Sequence, residues 1–180
     1  MTRFANPLEK SAYFEQVLFL YNKYARFLDD DYAKEEKNSA KYLRELIERV
    51  FPLFWVIVEG DMVSGFVYLD NVIGGNIKFH SAELVTCFDK RFWGTYTKVC
   101  ANAFLKFVFR KYGFEKIKVY VYPDNFRTRG LIEFCGFEKE AVLKSETLRN
   151  GKLQDIEVYS LFKERVKYED RNRKFDSEIK

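Results

Sequence analysis

An α+β fold with a mixed, mostly antiparallel sheet flanked by helices is what this chain predicts. Two amphipathic helical periodicities come first, a run of three strand patterns follows, and a strand–helix–strand crossover leads into a last hairpin. Across Ser11 to Leu28, the apolar residues Phe14, Val17, Leu18, Tyr21, Ala25 and Leu28 recur at spacings of three and four and make one stripe. Asp29, Asp30 and Asp31 interrupt it. A second helix, from Ala33 to Val50, sets Leu43, Leu46, Ile47 and Val50 on one face, and Pro52 ends it.

From Leu53 the period shortens. Leu53 to Val58 and Met62 to Leu69 are rich in aromatic and β-branched residues and flank the turn Glu59-Gly60-Asp61, so they predict a hairpin. After the turn Gly74-Gly75-Asn76, a third strand runs from Ile77 to Phe88. Strict alternation puts Ile77, Phe79, Ser81, Glu83 and Val85 on one face and Lys78, His80, Ala82, Leu84 and Thr86 on the other. The longest helical pattern is Tyr96 to Tyr112, stopped by Gly113. A short strand Ile117 to Val121, a helix Arg127 to Phe134 stopped near Gly136, and a hairpin of Phe137 to Leu148 with Leu153 to Phe162 around Asn150-Gly151 complete the order.

Composition narrows the function classes. With 180 residues, 47% hydrophobic and 32% charged, the chain suits one domain over residues 1–163 with a charged tail over 164–180. A net charge of +4 is too small to indicate a nucleic-acid partner, so none is expected. Three cysteines without CxxC spacing and one histidine assemble neither a zinc site nor a disulfide framework, and no metal is expected. No segment has the ~18 apolar residues of a membrane span, and the N-terminus lacks a secretory pattern. The expectation is a cytoplasmic protein, monomer or homodimer, without a membrane partner.

Two stretches carry chemistry. Cys87 to Thr97 joins the third strand to the long helix and contains Lys90, Arg91 and Gly94. A helix N-terminus with unpaired N–H groups suits a phosphate, although a basic loop with a glycine ahead of a helix is also common as plain structure. Asn125 to Phe137 reads either as a capped helix with a hydrophobic staple or as part of a binding motif. The basic excess falls here: residues 89–163 sum to +6 and 51–88 to −3.

From Leu53 to Val166 the chain resembles the GNAT superfamily of N-acetyltransferases, and within it the branch of ribosomal-protein N-terminal acetyltransferases. The matching residues are Ala82-Glu83-Leu84, Phe92-Trp93-Gly94, the stretch Asn125 to Phe137, and Arg149 to Asp155 followed by Tyr159-Ser-Leu161. The family's usual first strand is not identified in the N-terminal residues. The resemblance implies a sheet splayed at its centre to admit acetyl-CoA as co-substrate. It implies that Arg91, Trp93, Gly94, Thr95, Tyr96 and Thr97 hold the pyrophosphate, that Leu84 and Val85 edge the pantetheine, and that Asn125, Arg127 and Thr128 contact its arm. The loop departs from the family's Gln/Arg-x-x-Gly-x-Gly/Ala either by placing Tyr96 at the last small position or, aligned on the helix, by being one residue shorter with Thr95 in place of a glycine. Ile132 stands where many relatives carry an acidic tyrosine.

Acetyl transfer to an amine needs a neutral amine, a polarised carbonyl and a proton for the leaving thiolate. Glu83 takes the position of a family carboxylate and is the first candidate base, its alternative being a structural glutamate. Histidine titrates near neutrality, which makes His80 a second candidate, on the opposite strand face from Glu83. No histidine neighbours a cysteine in sequence, so direct attack is favoured over an acyl-enzyme. The resulting expectation is an acetyl-CoA-dependent N-acetyltransferase acting on a small-molecule amine or a protein N-terminus. The alternative is a GNAT-fold chain without catalysis, serving as a CoA-binding or structural interaction module.

Overall fold

In chain order the elements are β1 (Thr2–Ala5), α1 (Ser11–Leu28), α2 (Ala40–Val50), β2 (Phe54–Glu59), β3 (Met62–Gly74), β4 (Phe79–Phe88), α3 (Thr95–Tyr112), β5 (Lys116–Val121), α4 (Phe126–Phe134), β6 (Glu138–Arg149) and β7 (Lys152–Phe162). They are seen in a computed structural model that describes residues 2–31, 40–75 and 78–166. The strands make one seven-stranded sheet in the order β1-β2-β3-β4-β5-β7-β6. Every neighbouring pair is antiparallel except β4 and β5, which are parallel because α3 crosses over between them. The expected mixed sheet is therefore present.

Element by element, α1 spans the residues its periodicity marks, burying Tyr13, Phe14, Val17, Leu20, Tyr21 and Tyr24. Its buried stripe is rotated slightly from the expected one, because the helix also packs Tyr24 against Trp93. The predicted start of α2 at Ala33 lies outside the described residues, as does Ile77, and so does the tail from residue 167 onward. The first strand escaped sequence reading: β1 has only four residues, too few for alternation to show, and it pairs Phe4 with Ile57. β3 runs past the expected Leu69 to Gly74, through a register shift between Asp70 and Gly74. That irregularity breaks the alternation on β4, and Phe79 packs on the α3 side against Phe114, ring centroids 5.1 Å apart, rather than on the Glu83 face.

Each face of the sheet buries its own core. α3 and α4 cover one face, where Trp55, Phe104, Phe109, Phe114, Ile117 and Leu161 pack together. α1 and α2 cover the other, where Tyr21, Phe54, Phe66 and Tyr68 form a stacked aromatic row beside Leu43 and Ile47. Phe66, Phe109 and Phe114 are completely buried, and each such ring contributes about 1.5–3 kcal/mol relative to exposure. Most of the aromatic richness is thus packing. Glycine matters most at Gly65, where an added Cβ would stand 2.4 Å from the Cys87 carbonyl oxygen, so β3 and β4 meet there without a side chain between them. No helix among the described residues is long and apolar enough to cross a membrane.

Candidate active site

β4 and β5 run together for only three pairs, Ser81 with Lys116, Ala82 with Ile117 and Glu83 with Lys118. Beyond Glu83, β4 stays paired with β3 as far as Phe88, while β5 stays paired with β7 as far as Val121. The two strands therefore part in the middle of the sheet, and backbone groups of β4 that face β5 beyond Glu83 have no strand to bond. Leu84 and Val85 stand at this fork, half-buried and on opposite faces. Beneath it opens an apolar cleft walled by Leu84 and Thr86 of β4, Cys100 and Phe104 of α3, and Leu131 and Ile132 of α4.

The mouth of the fork is the turn between β4 and α3. Its anchor is Asp89, 1% exposed, whose carboxylate accepts from the Arg91 N–H at 2.9 Å, from Arg91 Nε at 3.1 Å and from Lys23 Nζ at 3.1 Å. Burial acts to raise the Asp89 pKa, but these hydrogen bonds outweigh it and hold the carboxyl below its ordinary value. Lys90 N–H donates to the Tyr24 hydroxyl at 2.8 Å, so α1 grips the turn twice. Gly94 then adopts φ 110° and ψ −133°, a conformation reserved for glycine, and α3 begins at Thr95 with no side chain capping it. The first N–H groups of α3 have no partner within the helix and face the mouth.

Around this turn the predicted cofactor residues are largely gathered. Trp93 is pinned by a 2.9 Å bond from Nε1 to the Phe88 carbonyl oxygen, and the Arg127 guanidinium of α4 lies over its ring at 4.5 Å. Thr97 Oγ1 donates to the Phe92 carbonyl oxygen at 2.8 Å. Tyr96 turns its side chain inward: its hydroxyl lies 2.9 Å from Ser64 Oγ, its ring rests 5.2 Å from Phe92, and burial pushes its pKa up to about 12. Arg91 reaches back toward Asp89 and Met62. Asn125 caps α4, its Oδ1 accepting from the Thr128 N–H at 3.3 Å.

Glu83 sits at the crotch of the fork on the α1–α2 side of the sheet. Its Oε1 pairs with Lys118 Nζ at 3.4 Å, and its Oε2 accepts from Asn71 Nδ2 at 2.8 Å. Asn71 reaches it from a left-handed position, φ 46°, in the irregular part of β3. His80 is not brought into this group. It is exposed near the paired end of β4, where its carbonyl accepts from the Glu115 N–H at 2.9 Å. Lys118, Asn71 and Asp89 had no signal in the sequence, because each acts through a partner that only the sheet or α1 brings near. Strand parity could have placed Lys118 on the Glu83 face once the pairing of β4 with β5 was known. Among the described residues there is no group of three or more His, Cys, Asp or Glu side chains placed to hold a metal ion.

The sheet thus opens between β4 and β5, with a glycine-led helix terminus at the opening. The model of the acetyltransferase (GNAT) domain matches residues 9–138. The chain belongs to the GNAT acetyltransferase family. Spermidine N-acetyltransferase from Vibrio cholerae, solved in complex with CoA and spermine, superposes with a TM-score of 0.72 at 21% identity, over 91% of this chain and 95% of that one. A putative phosphinothricin N-acetyltransferase gives 0.71 at 16%, over 90% and 97%. A GNAT-family acetyltransferase from Bacillus anthracis gives 0.63 at 18%, over 84% and 89%. These structures share the GNAT fold with this chain. No curated protein sequence matches it.

Proposed function

We propose that this GNAT chain transfers an acetyl group from acetyl-CoA to a primary amine by direct attack. The observation that carries the reading is the parting of β4 and β5 immediately beyond Glu83 and Lys118, with the open N-terminus of α3 at its mouth. The residues fit the co-substrate. Unpaired backbone groups of β4 near Leu84 and Val85 suit the amides of a pantetheine arm, and the N–H groups of Thr95, Tyr96 and Thr97 suit a diphosphate. Gly94 keeps that approach free of a side chain, while Arg127 over Trp93, with Arg91 behind, supplies positive charge. The inward turn of Tyr96 supports retained CoA binding despite the missing small residue. Asn125 and Thr128 flank the same opening from α4.

Glu83 receives the proton of the attacking amine, and a backbone N–H near Val85 polarises the thioester carbonyl. Burial raises the thiols of Cys100 and Cys135 to about 11, which leaves few thiolates at neutral pH and favours direct attack over an acyl-enzyme. Polyamines, named in the Vibrio cholerae structure, and protein N-termini are the first acceptors to try. A screen of such amines for acetyl-CoA-dependent release of free thiol tests the reading. Glu83→Gln is expected to lower kcat by about 100-fold or more with the active amine. Release of no thiol with any amine, while acetyl-CoA still binds, would favour the non-catalytic CoA-binding alternative.

A further inference from the structure

Ile132 of α4 is 3% exposed, lines the apolar cleft beneath the fork and has no proton to give. A donor held near the fork would spare the leaving thiolate a proton taken from solvent. We propose that Tyr120 of β5 is the proton donor to the leaving thiolate, working in relay with Glu83; this rests on the acetyltransferase reading above.

Three observations converge on this residue. Val119 and Val121 point into the α3 core, so strand parity turns Lys118, Tyr120 and Tyr122 to the Glu83 face. Tyr120 is the first residue on that face after the last β4–β5 pair, Glu83 with Lys118, which places it where the fork opens. Its ring lies 5.9 Å from Lys118 Nζ, and the Glu83 carboxylate is close enough to add to the effect of burial in raising the phenol above its ordinary pKa. A phenol so placed stays protonated at neutral pH and is available as an acid.

Other donors are committed elsewhere. Tyr122 is buried under the Arg149 guanidinium, 4.4 Å from its ring, and Tyr24 is 9% exposed with its hydroxyl held at the Lys90 N–H of the turn. Tyr159 is 2% exposed and bonded to Glu157. Lys118 is paired with Glu83 and its side chain is only 17% exposed. Tyr120, by contrast, is 42% exposed.

The step balances. The amine nitrogen bonds to the acetyl carbon, and its surplus proton passes to the Glu83 carboxylate. The carbon–sulfur bond breaks with its electron pair on sulfur, which takes the Tyr120 hydroxyl proton. The phenolate then recovers a proton from Glu83, restoring both groups and leaving amide and free thiol.

The test is Tyr120→Phe in the full chain, assayed with the amine that the wild type uses. We expect kcat to fall about 100-fold, with both KM values and the thermal stabilisation by acetyl-CoA within twofold of wild type. A kcat within threefold of wild type would overturn the assignment, as would a loss confined to KM. A wild type that neither binds acetyl-CoA nor releases thiol would instead overturn the acetyltransferase reading, so the two failures are distinct. Because the phenol is partly exposed, the substitution leaves the core intact, and unchanged thermal unfolding without ligand verifies it.

Discussion

Asp89 shows how one buried carboxylate can order the turn ahead of α3. Buried at 1% exposure, it ties α1 to the turn ahead of α3 through Lys23 and holds the backbone of Arg91. Its pKa is lower in the folded chain than in the unfolded one, so its contribution is present above the unfolded value of about 3.9 and is lost as pH falls below it. Asp89→Asn is therefore expected to cost about 2 kcal/mol at pH 7. The deficit should shrink as wild type is taken below about pH 4, which urea unfolding at neutral and acid pH measures. A deficit independent of pH would remove this account of the turn. Sequence reading named Arg91, Trp93 and Gly94 in this turn but not Asp89, whose partner Lys23 lies in the first helix.

At the scale of elements, α4 separates two roles that its first residues combine. Asn125 caps the helix through Oδ1, and the functional reading also gives its side chain to the pantetheine arm. Asn125→Ala should destabilise the chain by about 1 kcal/mol through loss of the cap. Asn125→Asp keeps the accepting oxygen but loses the amide donor. We expect it to unfold like wild type while the KM for acetyl-CoA rises severalfold; equal KM values would leave Asn125 with the cap alone. The elements themselves were readable where periodicity is long. α1 and the end of α3 at Gly113 follow directly from stripe and stop residue, and the Asn150-Gly151 hairpin turn has the positive φ values, 54° and 70°, that such a dipeptide favours. β1 and the extension of β3 past Leu69 were not, because four residues carry no period and a register shift erases one.

For the whole molecule, the fork in the sheet makes ligand binding and stability one measurement. If acetyl-CoA fills the gap between β4 and β5, a concentration near 100 times Kd should stabilise the fold by about 2.7 kcal/mol, or about 5–10 °C in Tm. An unmoved Tm at millimolar acetyl-CoA would remove CoA binding from the reading altogether. The amino-acid sequence by itself determined the α+β class, the order of the elements from α1 onward and the basic turn ahead of α3, because these depend on local period, turn chemistry and charge. The tertiary structure alone decided that β4 and β5 separate after Glu83, that Tyr96 turns inward to Ser64, and that His80 stands apart from Glu83, Lys118 and Tyr120. Strand partners and side-chain neighbours come from chain segments far apart in sequence, and only their packing brings them within bonding distance.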